Sequence, residues 1–211
     1  YEKIYNYFRY LKLNKLKLKP KQSKNKVVLI EFFDTKAFGV SGSFFAHTLS
    51  KIHDAKIILY YPSFQNFKQL IIYSFNNLNP FSNLKVFKSF SNDVVIPQKK
   101  KINESFYLKN LKKITSNQKL VNFKYRNIQI GDLIYDEFLA RYNLPTIDIK
   151  TKEFKFFFKE CLELIYFWEN YIKDNKVKSI VTSHSVYIMG LIARLGISFR
   201  IPVYVIGPHS H

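Results

Sequence analysis

The chain has little of what marks a specialised class. Its 211 residues hold one Cys, one Met and one Trp. A lone Cys161 excludes an intrachain disulfide, and a reducing compartment is its natural home. Set in a helical apolar pattern, Cys161 reads as a small buried hydrophobe. Six Gly and seven Pro are too few for a low-complexity chain. No apolar run reaches the ~18 residues that a spanning helix needs, and no signal-peptide core is present. Acids are scarce, 15 against 34 Lys and Arg, which leaves a net charge of +19.

Several signatures of chemistry are missing too. There is no G-x-G-x-x-G and no Gly-Lys-Ser/Thr phosphate loop, so a dinucleotide or nucleoside-triphosphate site has no support. No G-x-S-x-G elbow surrounds Ser183 or Ser185, which argues against a serine hydrolase. His184, His209 and His211 lie near one another in sequence, but no Cys or carboxylate stands among them at zinc-site spacing. No metal and no cofactor is expected.

What is present is apolar and basic. Hydrophobic residues make up 47% of the chain, enough for a packed core, with 21 Phe and 15 Tyr. Abundant Lys, Asn, Ile, Phe and Tyr together suggest AT-rich coding, which weakens any function read from lysine content alone. The charge is concentrated, however. Residues 1–26 hold nine Lys/Arg against Glu2, and residues 98–126 hold nine against Glu104, which leaves the rest of the chain nearly neutral. Two basic segments on a neutral domain suit contact with an anionic surface.

The periodicity alternates between strand and helix. Residues 1–18 read as an amphipathic helix with Ile4, Phe8 and Leu11 on one face, followed by a basic linker to residue 26. Val27–Phe33 is an apolar run, the first buried strand. A loop, Asp34–Gly42, leads to a helix over Ser43–His53. Lys56–Tyr61 is a second strand, Phe64–Phe75 a helix, and Leu84–Phe90 alternates like a third strand. Helices follow over Glu104–Ile114, Gly131–Tyr142 and Glu153–Lys173. The chain then reads Lys178–Thr182 as strand, Val186–Arg200 as helix and Pro202–Ile206 as strand, a minimal βαβ unit. The expected fold is α/β: a Rossmann-like open, mostly parallel sheet with helices on both faces.

Ligands of such sheets bind at strand carboxyl ends. That places Thr182, Ser183, His184 and Ser185 in a binding position, with His184 the candidate base. The first loop offers Asp34, Gly39, Ser41 and Gly42, with Ser41 or Ser43 as helix cap. Asp132 and Asp136 lie four residues apart on one helical face, suited to hydroxyls, and Glu137 is spaced to pair with Arg141. Each has a plainer reading: a flexible turn, a capping His, ordinary surface charges.

A resemblance emerges from three stretches. Gly131-Asp-Leu-Ile-Tyr-Asp-Glu-Phe-Leu-Ala-Arg141, Ser179-Ile-Val-Thr-Ser-His-Ser-Val-Tyr187, and Gly190-Leu-Ile-Ala-Arg194 with Ile201-Pro-Val-Tyr204 look like bacterial surface or capsular polysaccharide biosynthesis proteins. More broadly they resemble the amino-terminal half of GT-B glycosyltransferases. The resemblance implies one half of a GT-B fold, with residues 27–211 as the acceptor-side domain. It implies a glycan or lipid-linked acceptor, a nucleotide sugar held by a second domain, and no metal. That second, donor-binding domain is missing here, and no initiator Met is present, so a fragment of a longer protein is expected. The enzyme would be cytoplasmic and peripheral on the inner face of the membrane, its basic segments against anionic lipid. The rival reading is a non-enzymatic basic module on nucleic acid or an anionic membrane surface.

Overall fold

Five parallel strands form the centre of the protein, lying across the sheet in the order Asp93–Val95, Ala55–Tyr60, Ser23–Glu31, Lys176–Thr182 and Val203–Val205. The computed structural model describes residues 2–17 and 23–206. The strands are β1 (Ser23–Glu31), β2 (Ala55–Tyr60), β3 (Asp93–Val95), β6 (Lys176–Thr182) and β7 (Val203–Val205), with a small antiparallel pair, β4 (Lys124–Tyr125) and β5 (Ile128–Gln129). Helices connect them: α1 (Glu2–Lys17), α2 (Lys36–His53), α3 (Phe67–Leu78), α4 (Asn83–Lys88), α5 (Glu104–Leu111), α6 (Asn117–Val121), α7 (Gly131–Tyr142), α8 (Lys152–Asp174) and α9 (Leu191–Ser198). The expected α/β, Rossmann-like parallel sheet is present.

Strand alternation splits the core in two. Along β1, Val27 and Leu29 point to one face and Val28 and Ile30 to the other. On β2, Ile58 and Tyr60 join the first side, and Ile57 and Leu59 the second. The first face packs on α7, α8 and α9 through residues such as Phe138, Phe158, Trp168 and Leu195. The second packs on α2 and α4 through Phe38, Leu49, Phe87 and Phe90. Because both faces are covered, the middle of each central strand is a continuous apolar run, Val27–Ile30 in β1 and Ile57–Tyr60 in β2. Helix α8 shows the strongest helical periodicity. Thr151 caps it, accepting from Phe154 N at 3.2 Å, and Trp168 anchors it by donating its indole N–H to the Pro62 carbonyl at 3.1 Å.

Three expectations need correction. Leu84–Phe90 is not a strand. Ser82 caps α4 there, and Leu84, Phe87 and Phe90 recur at helical spacing against the second face. The edge strand is Asp93–Val95, too short to read by alternation. Nor is Asp34–Gly42 a loop. Thr35, rather than Ser41 or Ser43, caps α2 by accepting from Phe38 N at 3.3 Å, so Gly39, Ser41 and Gly42 are helical. A Cβ on Gly39 would lie 2.9 Å from Val86 Cγ1, and one on Gly42 3.0 Å from Ile30 Cδ1. These glycines let α2 approach α4 and β1.

Helix α1 lies on the second face. Tyr10 OH is 2.7 Å from Ser43 Oγ, and buried Asn14 donates to Ser89 Oγ at 3.0 Å. Tyr7, Tyr10 and Leu11 pack inward, so the buried face is rotated from the expected Ile4, Phe8 and Leu11. Ile4 and Phe8 are exposed.

Candidate functional site

In a parallel sheet, a crevice opens where neighbouring strands send their connections to opposite faces. Here the split lies between β1 and β6. β1 leads into α2 on one face, and β6 leads into α9 on the other. The chemistry there is built on Glu31, the last residue of β1, which is 1% exposed. Its Oε2 accepts from Thr182 Oγ1 at 2.6 Å and from the Ser183 backbone N–H at 2.7 Å. One strand's carboxylate thus ties down the end of its neighbour. Burial raises the Glu31 pKa, against the opposing pull of these hydrogen bonds.

Ser183 is buried, and its hydroxyl lies 2.7 Å from His184 Nδ1. That contact orients the imidazole and leaves Nε2 for a ligand. The ring packs against Phe33, centroids 5.2 Å apart. Ser185 beside it is exposed. Asp34 is exposed too, and its Oδ1 accepts from Asn83 Nδ2 at 2.8 Å, which fixes the turn after β1 to the start of α4. The split therefore gathers Phe33, Asp34, Ser183, His184 and Ser185.

The other expected residues are elsewhere. Ser41 is exposed on α2, and its hydroxyl donates to the Phe38 carbonyl at 3.2 Å. Asp132 is engaged by Arg194, whose two guanidinium nitrogens reach its two oxygens at 2.6 and 2.5 Å. Arg194 also donates to the Gln129 carbonyl at 2.7 Å, so this fork fastens α7 and β5 to α9. The Arg194 hydrogen bonds lower the Asp132 pKa. Asp136 is exposed one turn further along α7. His209 and His211 lie outside the described residues.

Beside the split, a cavity of about 490 Å³ opens at the same edge of the sheet. Ser63, Gln65 and Asn66 reach it from the loop after β2, Lys99 from beyond β3, and Ile188 from the turn after β6. Helices α7 and α8 supply Glu137, Arg141, Phe157, Glu160, Cys161 and Leu164. Arg141 joins the two carboxylates, 3.2 Å from Glu137 and 3.8 Å from Glu160, and Lys99 pairs with Glu160. The wall thus carries two cations and two anions beside neutral amides, over an apolar floor. Arg141 lies over the Phe157 ring at 4.8 Å. Cys161 is free and buried, and burial pushes its thiol well above the ordinary range, so it is a wall and not a nucleophile.

Sequence reasoning missed Glu31, because Val27–Phe33 reads as a continuous apolar run. The signal was a single carboxylate inside that run, at the end of a strand with no solvent-facing side. The Glu137–Arg141 pair was visible at four-residue spacing; the cavity around it was not. Among the described residues, no cluster of His, Cys, Asp and Glu is arranged to hold a metal, and no helix is long and apolar enough to cross a membrane. No family model, no curated protein and no solved structure matches the chain.

Proposed function

We propose that this chain is the acceptor-side domain of a GT-B-type glycosyltransferase that adds sugars during surface polysaccharide biosynthesis. The observation that supports it is the cavity at the carboxyl edge, whose balanced charges and amides suit a neutral, hydroxyl-rich ligand. Sugar hydroxyls both donate and accept, so carboxylates, carboxamides and a guanidinium around one space can all be satisfied by one ring. Phe64, which lines the same space and is half-buried, offers a surface for its C–H face.

His184 then acts as the base. The acceptor hydroxyl oxygen forms a bond to the anomeric carbon of a nucleotide sugar, and its proton passes to Nε2. The bond from that carbon to the diphosphate breaks, and the diphosphate leaves with the electron pair. Ser183 keeps the ring oriented, and buried Glu31 stabilises the imidazolium that forms. The nucleotide sugar is held by a second domain on this reading, so the 211-residue chain alone turns over no nucleotide sugar.

The test is saturation-transfer NMR on the chain with neutral and acidic oligosaccharides. Neutral glycans should bind. Glu160→Gln should weaken them about tenfold, the value of one charge-assisted hydrogen bond. His184→Ala should leave binding within about twofold, since its task is proton transfer. If nucleotides bind the cavity and saccharides do not, the reading is wrong.

A further inference from the structure

The sheet and its site leave one helix without an explanation. Helix α3, Phe67–Leu78, has not one buried residue. Phe67 is 80%, Phe75 68% and Leu78 78% exposed. Soluble domains rarely expose a contiguous row of large apolar side chains, and where they do it marks an interaction surface. Phe67, Leu70, Ile71, Phe75 and Leu78 share one face, along a shallow groove of about 340 Å³.

Helix α1 repeats the pattern. Its inner face is anchored through Tyr7, Tyr10 and Asn14, yet Ile4, Tyr5, Phe8, Leu13 and Leu16 remain exposed. The two helices meet at the turn after α3. Tyr7 OH donates to the Pro80 carbonyl at 3.0 Å, and Phe8 and Phe81 rings lie 5.7 Å apart, with Phe81 itself exposed. The apolar surface of α1 therefore continues through Phe81 onto the turn that follows α3.

Its charge identifies the occupant. Residues 3–17 contain Lys3, Arg9, Lys12, Lys15 and Lys17 and no acid, and residues 67–88 contain no acid either. Where α1 meets Pro80 and α4, a groove of about 400 Å³ is lined by Lys12, Lys15 and Lys85 between Phe8, Leu11 and Pro80. Three ammonium groups surround this space with no carboxylate in its wall. A nucleic acid would meet the lysines but leave the Phe, Ile and Leu row in water. A bilayer with anionic headgroups satisfies both, with acyl chains against the apolar rows and phosphates among the lysines.

We infer that α1 and α3 form a membrane-surface seat, with the groove of Lys12, Lys15 and Lys85 receiving the phosphates of anionic phospholipids. Lys12, Lys15, Phe75 and Leu78 are exposed and Lys85 is only half-buried, so their replacement leaves the buried core intact.

Co-sedimentation of the full chain with vesicles tests this. Vesicles of phosphatidylglycerol and phosphatidylcholine in equal parts should retain the protein, and phosphatidylcholine alone should not. Each lysine near an anionic surface changes the partition about fivefold, so replacing Lys12, Lys15 and Lys85 together by Gln should cost about a hundredfold. Phe75→Ser with Leu78→Ser should also lower the partition at least tenfold with an unchanged thermal midpoint. Inorganic phosphate at the concentration of lipid phosphate should not compete. Four results would overturn the inference: equal retention by both vesicles, full retention of either variant, displacement by free phosphate, or tighter binding to single-stranded RNA than to vesicles. Saccharide binding is read separately, so loss of one activity leaves the other measurable.

Discussion

Trp168→Phe removes a hydrogen bond and part of a ring from the centre of the first core face. The Trp168 indole is fully buried, meets Tyr60 edge-on at a centroid distance of 5.4 Å, and holds the Pro62 carbonyl. Phe keeps one ring in place but cannot donate. The Pro62 carbonyl then lies buried without a partner, which costs about 1–3 kcal/mol. The missing ring atoms leave a void worth about 1–2 kcal/mol more. Together the loss is about 3 kcal/mol, and at about 3 °C per kcal/mol for a domain of this size the melting midpoint should fall by about 10 °C. Far-UV circular dichroism is the assay, since the variant has no tryptophan to report fluorescence. Pro62 also starts the loop that brings Ser63, Gln65 and Asn66 to the cavity wall. Amide exchange across residues 63–66 should therefore quicken more than across β1. A midpoint within about 2 °C of the parent, with unchanged exchange in that loop, would refute the reasoning.

Two further outcomes follow from buried groups. Burial raises the Glu31 pKa, so its contribution to stability is full below the unfolded glutamate range and is lost as pH rises through the higher folded value. Glu31→Gln removes that loss, and its midpoint relative to the parent should climb as pH rises above the unfolded glutamate range; a gap that stays constant with pH counts against the buried charge. Gly131→Ala would set a Cβ 1.8 Å from the Leu120 carbonyl oxygen and 2.7 Å from Phe123 N, so backbone must move. Urea unfolding should show a loss of about 3 kcal/mol, and a smaller one for Gly39→Ala, whose new atom meets only side chains.

Much of the sheet was legible because its strands are buried on both faces and announce themselves as short apolar runs. β1, β2, β6 and β7 were all located, and α7 matches its sequence reading of Gly131–Tyr142. The failures have a common cause: packing partners that local periodicity does not name. Leu84-Lys-Val-Phe-Lys-Ser-Phe90 fits both alternation and a helix, and only the second core face decides for the helix. Gly39 and Gly42 suggested a loop, although glycine also serves wherever a helix must come close to its neighbours. On α1 the apolar residues nearly encircle the helix, so the sequence did not say whether Ile4 or Tyr7 turns inward. The polar cluster after β6 was readable from its position at a strand end. Its partner Glu31 lies more than a hundred residues earlier, and the cavity walls come from five separate segments, so neither emerges from spacing.

The central place of β1 has a consequence for the chain during its synthesis. Its two neighbours are β2, which follows closely, and β6, where Leu29 pairs with Ile180. At about 5–20 residues per second, roughly 8–30 seconds separate Leu29 from Ile180 at the ribosome. For that interval one edge of β1 has its hydrogen-bonding groups open, able to pair with a strand from another nascent chain. That edge is closed only when Lys176–Thr182 emerges and pairs with it.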